Sequence, residues 1–159
     1  MLLDDESLYS FMFRAQLLHG LRELSNLTHV TGRWKRLPKP HPKLVPYYKI
    51  FPKKHLEKLL YSSGFKIDNP LIENHEKLGH VSIENIFFNP YHNIYSSSIP
   101  ILYCHECIKE SIETCGIGYF KKSWVYMDKC KKHQKLLSYL KPTSNLEFTI
   151  FKVISGVLI

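Results

Sequence analysis

A mainly α-helical protein with a small finger-like module in its second half is the fold the sequence predicts, on three observations. Apolar residues recur at helical spacing at several points before Gly64. Prolines crowd residues 33–52, where regular helix would be interrupted. All four cysteines fall between Cys104 and Cys130. A chain of 159 residues has room for one ordinary domain, or two small ones sharing an interface. Ten tyrosines and nine phenylalanines supply core material that a disordered chain lacks.

Taken in order, Asp5 reads as the N-cap of a first helix. Leu8, Phe11, Met12, Ala15 and Leu18 follow on one face, and Gly20 lies just beyond its end. A second short helix is expected from about Leu21 to Thr31, with Leu24 and Leu27 inward and Gly32 closing it. The pair reads as an N-terminal helical hairpin; the same pattern also describes a helix-turn-helix. From Arg33 to Pro52 five prolines (Pro38, Pro40, Pro42, Pro46, Pro52) predict an extended connector. It carries Arg33, Lys35, Arg36, Lys39, Lys43 and Lys49 and no acid, with Trp34, Tyr47 and Tyr48 interleaved. Such a strap suits contact with a phosphate backbone. It equally suits a strap lying across the fold, its aromatics packed and its lysines solvated. A third helix is expected over Lys53–Ser63, with Leu56, Leu59 and Leu60 on one face and Gly64 as its stop. In residues 65–98, Leu71–His75 reads as a helical piece, and Asn89-Pro90 and Ser96–Ser98 read as loops. The divisions expected are a helical region at 1–98 with its connector at 33–52, a finger at 99–140, and an apolar tail at 141–159.

The formal charge is +8, from 22 basic residues of which all but Arg14, Arg22, Arg33 and Arg36 are lysine. An excess of this size fits an acidic partner such as DNA, or a solubilising surface. No stretch approaches the roughly 20 apolar residues that span a bilayer, so no membrane association is expected. Met1–Glu6 lacks the basic and apolar regions of a signal peptide, which points to the cytoplasm. In that reducing compartment a tight cysteine cluster reads as a metal site rather than a disulfide framework.

Cys104-His105-Glu106-Cys107 is a Cys-x2-Cys turn, and 22 residues further on Cys130-Lys131-Lys132-His133 is a Cys-x2-His turn. Two residues between ligands let a tight turn aim both side chains at one ion, and two such turns complete a tetrahedron. Three thiolates and an imidazole favour Zn2+ over harder cations. The expected module is therefore a Cys3His zinc ribbon-like finger holding one structural zinc on Cys104, Cys107, Cys130 and His133. His105 or Cys115 could replace a ligand; the simpler reading makes His105 a solvent-facing turn residue and Cys115 a small buried side chain. A catalytic zinc keeps a position open, whereas this set fills all four. No partner for a Cys/His hydrolase stands out, and no phosphate-binding glycine loop is present, so no enzyme is expected. Tyr119, Phe120 and Trp124 are the natural core of so small a module. Lys121, Lys122, Lys129, Lys131, Lys132 and Lys135 gather around it. They form a phosphate-facing patch or keep the finger soluble. The basic residues assigned to nucleic-acid contact are Arg33, Lys35, Arg36, Lys121, Lys122, Lys131 and Lys132.

As an ordered set, these motifs resemble the TniQ family, which includes TnsD-type targeting proteins of Tn7-like transposons. The resemblance rests on Asp5-Glu6-Ser7-Leu8-Tyr9-Ser10 with Arg14, the Cys104–Cys107 knuckle, and Tyr119-Phe120-Lys121-Lys122-Ser123-Trp124. Cys130–His133 followed by Leu136-Leu137 completes it, and Leu71–His75 looks like a piece of the TnsD-like subgroup. It covers roughly residues 4 to 140. His105 stands where the family usually has proline, and Gln134 where it usually has glycine. The family continues beyond the finger into a further helical region. Here Phe148–Ile159 reads as a closing strand or the stub of that region, in a shortened version of such a protein. The resemblance implies a non-enzymatic factor that selects the target site in transposition. It would link target DNA, or an RNA-guided CRISPR effector complex, to the transposition AAA+ ATPase and transposase, and a homodimer is compatible with that role. The alternatives are a stand-alone zinc-dependent DNA-binding regulator and a protein–protein adaptor.

Overall fold

The computed structural model describes residues 2–29, 31–64, 83–89, 98–141 and 145–157. The expected helical piece Leu71–His75 lies outside these residues, as do Pro90 and Ser96-Ser97.

The first helix, α1, spans Leu8–Leu18. Its N-cap is Ser7 rather than Asp5: the Ser7 hydroxyl accepts the Ser10 N–H at 3.2 Å. Asp5 has a φ of 56° and turns the chain just before the helix. Leu8, Tyr9, Met12 and Phe13 are buried, while Leu18 points outward at 80 % exposure. Gly20, with φ 69°, follows the end as expected.

The expected second helix over Leu21–Thr31 is not formed among the described residues of that segment. The chain makes a turn at 25–27, and Thr28 then bridges Trp34. Short polar side chains compete with helix here. Asn26 Nδ2 donates to Gln16 Oε1 at 2.8 Å and to the Lys39 carbonyl at 2.5 Å, and Thr28 Oγ1 donates to the Leu24 carbonyl at 3.0 Å. Leu24 and Leu27 are nonetheless buried, as their spacing suggests.

The connector is only partly extended. Strand β1, Trp34–Lys35, is followed by a 3-10 turn at Pro42–Leu44 and helix α2, Val45–Ile50. Pro46 is accommodated in the first turn of α2, where the missing N–H has no intrahelical partner to lose. Helix α3 spans Lys53–Ser62, buries Leu56 and Leu60, and stops before Gly64, close to expectation. A π-helical turn at Glu84–Phe88 packs Phe87 against Tyr48 at 5.1 Å. Strand β2, Ser98–Ile99, pairs antiparallel with β1 in the register Trp34↔Ile99.

Strand β3, Leu102–Tyr103, leads into helix α4, His105–Cys115. After a 3-10 turn at Lys122–Val125, strand β4, Ser138–Tyr139, returns antiparallel to β3 in the register Leu102↔Tyr139. The apolar tail is neither a strand nor a shapeless end: it folds as α5, Leu146–Ile154, capped by Asn145, whose side chain accepts the Phe148 N–H. Its Thr149, Ile150, Val153 and Ile154 face inward. Gly118 donates to the Ile154 carbonyl at 2.8 Å, so the helix end is tied to the chain beyond α4.

One buried cluster runs from α1 through Trp34, Leu60 and Phe87 to Cys104, Phe120 and Ile150. Tyr9 stacks on Trp34 at 5.0 Å, and Trp34 meets the edge of Phe120 at 5.6 Å. Backbone bonds fasten the same junction. Ser7 N–H donates to the Phe120 carbonyl at 2.9 Å, the Phe120 N–H donates to Ser10 Oγ at 3.1 Å, and the Lys122 N–H donates to the Asp5 carbonyl at 2.9 Å. Glu6, fully buried, is met by Arg14 through Nε at 3.1 Å and a terminal nitrogen at 2.8 Å. Among the described residues no helix is long and apolar enough to cross a membrane.

Candidate metal centre

Two local structures converge on four side chains. Cys104 is the N-cap of α4 and Cys107 lies in its first turn, so the first pair sits at a helix start rather than in a ribbon turn. The Cys107 N–H faces the Cys104 sulfur. The second pair occupies a tight hairpin. The Cys130 N–H donates to the Lys135 carbonyl and the Gln134 N–H to the Cys130 carbonyl, both at 2.8 Å, and Lys129 bridges Leu136. The His133 N–H points at the Cys130 sulfur, 3.4 Å away. Gln134 has a φ of 55°, a left-handed conformation that glycine adopts freely.

Cys104 Sγ and Cys107 Sγ each lie 3.4 Å from His133 Nδ1, Cys130 Sγ lies 3.6 Å from it, and Cys107 and Cys130 sulfurs are 3.5 Å apart. All four donor atoms fall within 4.8 Å of one another, with the three cysteines buried. For bonds of the usual zinc lengths, a tetrahedron has edges of about 3.6–3.8 Å. A disulfide would bring sulfurs to about 2.05 Å. The group is compatible with one zinc-binding site. Neither His105 nor Cys115 joins it. Contrary to expectation Cys115 is exposed, at the last residue of α4, and His105 is half-buried with its ring 4.9 Å from that of Tyr103.

Two carboxylates complete the surroundings. His133 uses Nδ1 toward the sulfurs, and its Nε2 lies 3.3 Å from Glu110 Oε1. The other Glu110 oxygen takes the Lys132 ammonium at 2.8 Å. A histidine ligand whose second nitrogen meets a carboxylate has its ring orientation and tautomer set. Glu106 Oε2 lies 3.3 Å from the Cys104 sulfur, and its carboxylate also accepts from Lys135. The Lys135 ammonium, with the backbone N–H of Glu106, holds the Glu106 carboxyl down at about 2. Burial pushes the Cys107 thiol up to about 12. Burial also opposes the Cys130 thiolate, but the His133 N–H and imidazole outweigh it and bring that thiol to about 7. Glu106 and Glu110 escaped sequence reasoning. Their signal is helical spacing: Glu110 follows Cys107 by three residues, on the same side of a helix the cysteine pattern does not announce.

The residues assigned to nucleic-acid contact divide. Lys131 and Lys132 are exposed on the second turn, Lys132 with its ammonium on Glu110. Lys121 and Lys122 are half-buried at the junction with α1; the Lys121 backbone forms a β-bridge with that of Glu6, and Lys122 Nζ donates to the Ser62 carbonyl at 3.3 Å. Arg33, Lys35 and Arg36 are half-buried, and the Nε atoms of Arg33 and Arg36 are buried without a hydrogen-bond partner among the described residues. A terminal nitrogen of Arg33 reaches the Ser98 carbonyl at 3.4 Å, Lys35 donates to the Ser25 carbonyl, and the Arg36 carbonyl accepts from Tyr9. Lys39 of the same strap is 2 % exposed and donates to the Asn85 carbonyl. Trp34 and Tyr48 are packed inside, whereas Tyr47 is half-exposed.

No protein-family model matches the chain, and neither the curated proteins nor the solved structures contain a match.

Proposed function

We propose that this is a non-enzymatic target-site selection factor of the TniQ type, with a structural zinc on Cys104, Cys107, Cys130 and His133. In this reading it links target DNA, or an RNA-guided complex, to the transposition AAA+ ATPase and transposase in the cytoplasm. The observation that carries the reading is the convergence of the resemblance motifs. The Glu6–Ser10 segment with Arg14 and the Tyr119–Trp124 stretch meet at Phe120, and both lie against the Cys3His group through one buried cluster. Residues that form a family signature only as a set here do one job, fastening the first helix to the finger. The zinc would hold Cys104 and Cys107 at the start of α4 and the 130–133 turn in one place. That position presents the basic turn with a fixed shape.

Capture of the cognate AAA+ ATPase by the zinc-loaded chain, lost in Cys104→Ser/Cys130→Ser, is the expected result. Its absence, together with strong discrimination between target and scrambled DNA, would replace this reading with a stand-alone DNA-binding regulator. One observation favours the adaptor reading as a second possibility. Lys132 and Lys135 are matched by Glu110 and Glu106, which thins the positive rim that a DNA-binding finger needs.

A further inference from the structure

Beside the α1–finger junction lies an open cleft of about 980 Å³ between Leu2–Asp5 and α3. Cys104, Cys107, Cys130 and His133 do not line it. Phe11, Tyr48, His55, Phe51 and Tyr61 all line it; Tyr48 is buried, whereas Phe51 at 53 % and Tyr61 at 54 % exposure stand open to a ligand. The same cleft holds two carboxylates, Asp4 and Asp5, and two ammonium groups, Lys58 and Lys122. Lys122 is fixed at the edge by its bond to the Ser62 carbonyl. An ammonium carries three protons, so further acceptors fit.

This combination narrows the ligand. A purely apolar ligand would make no use of Asp4, Asp5, Lys58 and Lys122, and covering any of them costs free energy once water is displaced. A simple anion would meet Asp4 and Asp5 as well as the lysines. A molecule with a flat aromatic face, N–H donors on its edge and an attached anion suits all six groups. We propose that the cleft binds one nucleotide unit. Its base stacks on Phe51 and Tyr61, its edge donates to Asp4 and Asp5, and its phosphate is met by Lys58 and Lys122. Aromatic faces stack any base, and lysine tracks the phosphates beside it. Lys49 in α2 and Lys54 in α3 are also exposed.

The nucleotide comes either free or as an unpaired residue of a strand, and one experiment separates the two. The full chain is titrated at low salt with labelled single strands of deoxyadenylate or deoxyguanylate, with the matching duplex, and with AMP and GMP as competitors. We expect single strands to bind in preference to duplex, and Phe51→Ala and Tyr61→Ala each to weaken binding by about tenfold. Lys58→Ala lowers the salt dependence, as loss of one phosphate contact does. Asp4→Asn/Asp5→Asn alters the preference between the two bases. These positions are exposed or part-exposed, so thermal unfolding near that of the parent shows that the variants fold. Displacement by AMP or GMP assigns the site to free nucleotide, and lack of displacement assigns it to an unpaired nucleotide in a strand. The proposal is overturned if neither strands nor free nucleotides bind. It is equally overturned if binding is unchanged in Phe51→Ala and Tyr61→Ala but lost in Lys131→Glu/Lys132→Glu, which places all affinity on the finger.

Discussion

Glu110 joins side chains that the sequence leaves apart, with one oxygen near His133 Nε2 and the other on Lys132. Removing it leaves the imidazole free to turn and less basic as a ligand, so Glu110→Ala should weaken zinc binding by about 10–100-fold. Glu110→Gln should fall between the two, and competition with a colorimetric chelator measures both. Lys39 tests burial at the same scale. Its side chain is 2 % exposed, and burial lowers its pKa to about 8. An unfolded lysine titrates near 10.4, so between about pH 8 and that value the unfolded chain holds more protons. The penalty from the buried charge is therefore complete below pH 8 and fades as pH rises. The stability of Lys39→Met relative to the parent should accordingly decline from pH 8 to pH 10.5 in chemical denaturation. A difference independent of pH would show that Lys39 sits in water. The clustering of Cys104, Cys107, Cys130 and His133 was legible because each pair is a local pattern with two residues between. Glu110 was hidden because it becomes a neighbour of His133 only once α4 and the second turn meet.

Helices α1 and α3 were legible from apolar spacing closed by Gly20 and Gly64, information contained within each segment. The elements that differ from expectation depend on partners elsewhere in the chain. The absent helix after Gly20 loses to side-chain bonds from Asn26, one of which ends on the Lys39 carbonyl. Helix α2 forms despite Pro46 because that residue falls in its first turn. Helix α5 takes the place of a strand because its apolar positions suit packing on the α4 side, and Asn145 caps it. That docking has a sharp test at Gly118. A Cβ there would sit 2.7 Å from the Ile154 carbonyl oxygen and 3.0 Å from Ile108 Cγ2, and neither the helix end nor the core can give way freely. Gly118→Ala should cost about 1–3 kcal/mol in stability, read as a lowered urea midpoint. The cap of α1 has a smaller expected effect: Ser7→Ala removes the acceptor for the Ser10 N–H and should cost about 1 kcal/mol.

For the whole molecule, the shared core makes the finger and α1 one mechanical unit at Phe120. Loss of the metal should therefore be felt outside the finger. After chelation, the Ser7 and Phe120 amides should exchange with solvent faster, while the Leu60 amide in α3 stays protected, as native-state hydrogen exchange can follow residue by residue. The +8 charge was legible at once, but its distribution was not. Lys39 is inside, Lys132 and Lys135 are paired, and Lys129 and Lys131 stand outward. All of this rests on the Cys3His group holding zinc, and metal analysis of the purified protein addresses it directly. One zinc per chain in the parent, and none in Cys104→Ser/Cys130→Ser, is the result expected. A full zinc complement in that double variant, or a metal-free parent that keeps its finger folded, would contradict the account.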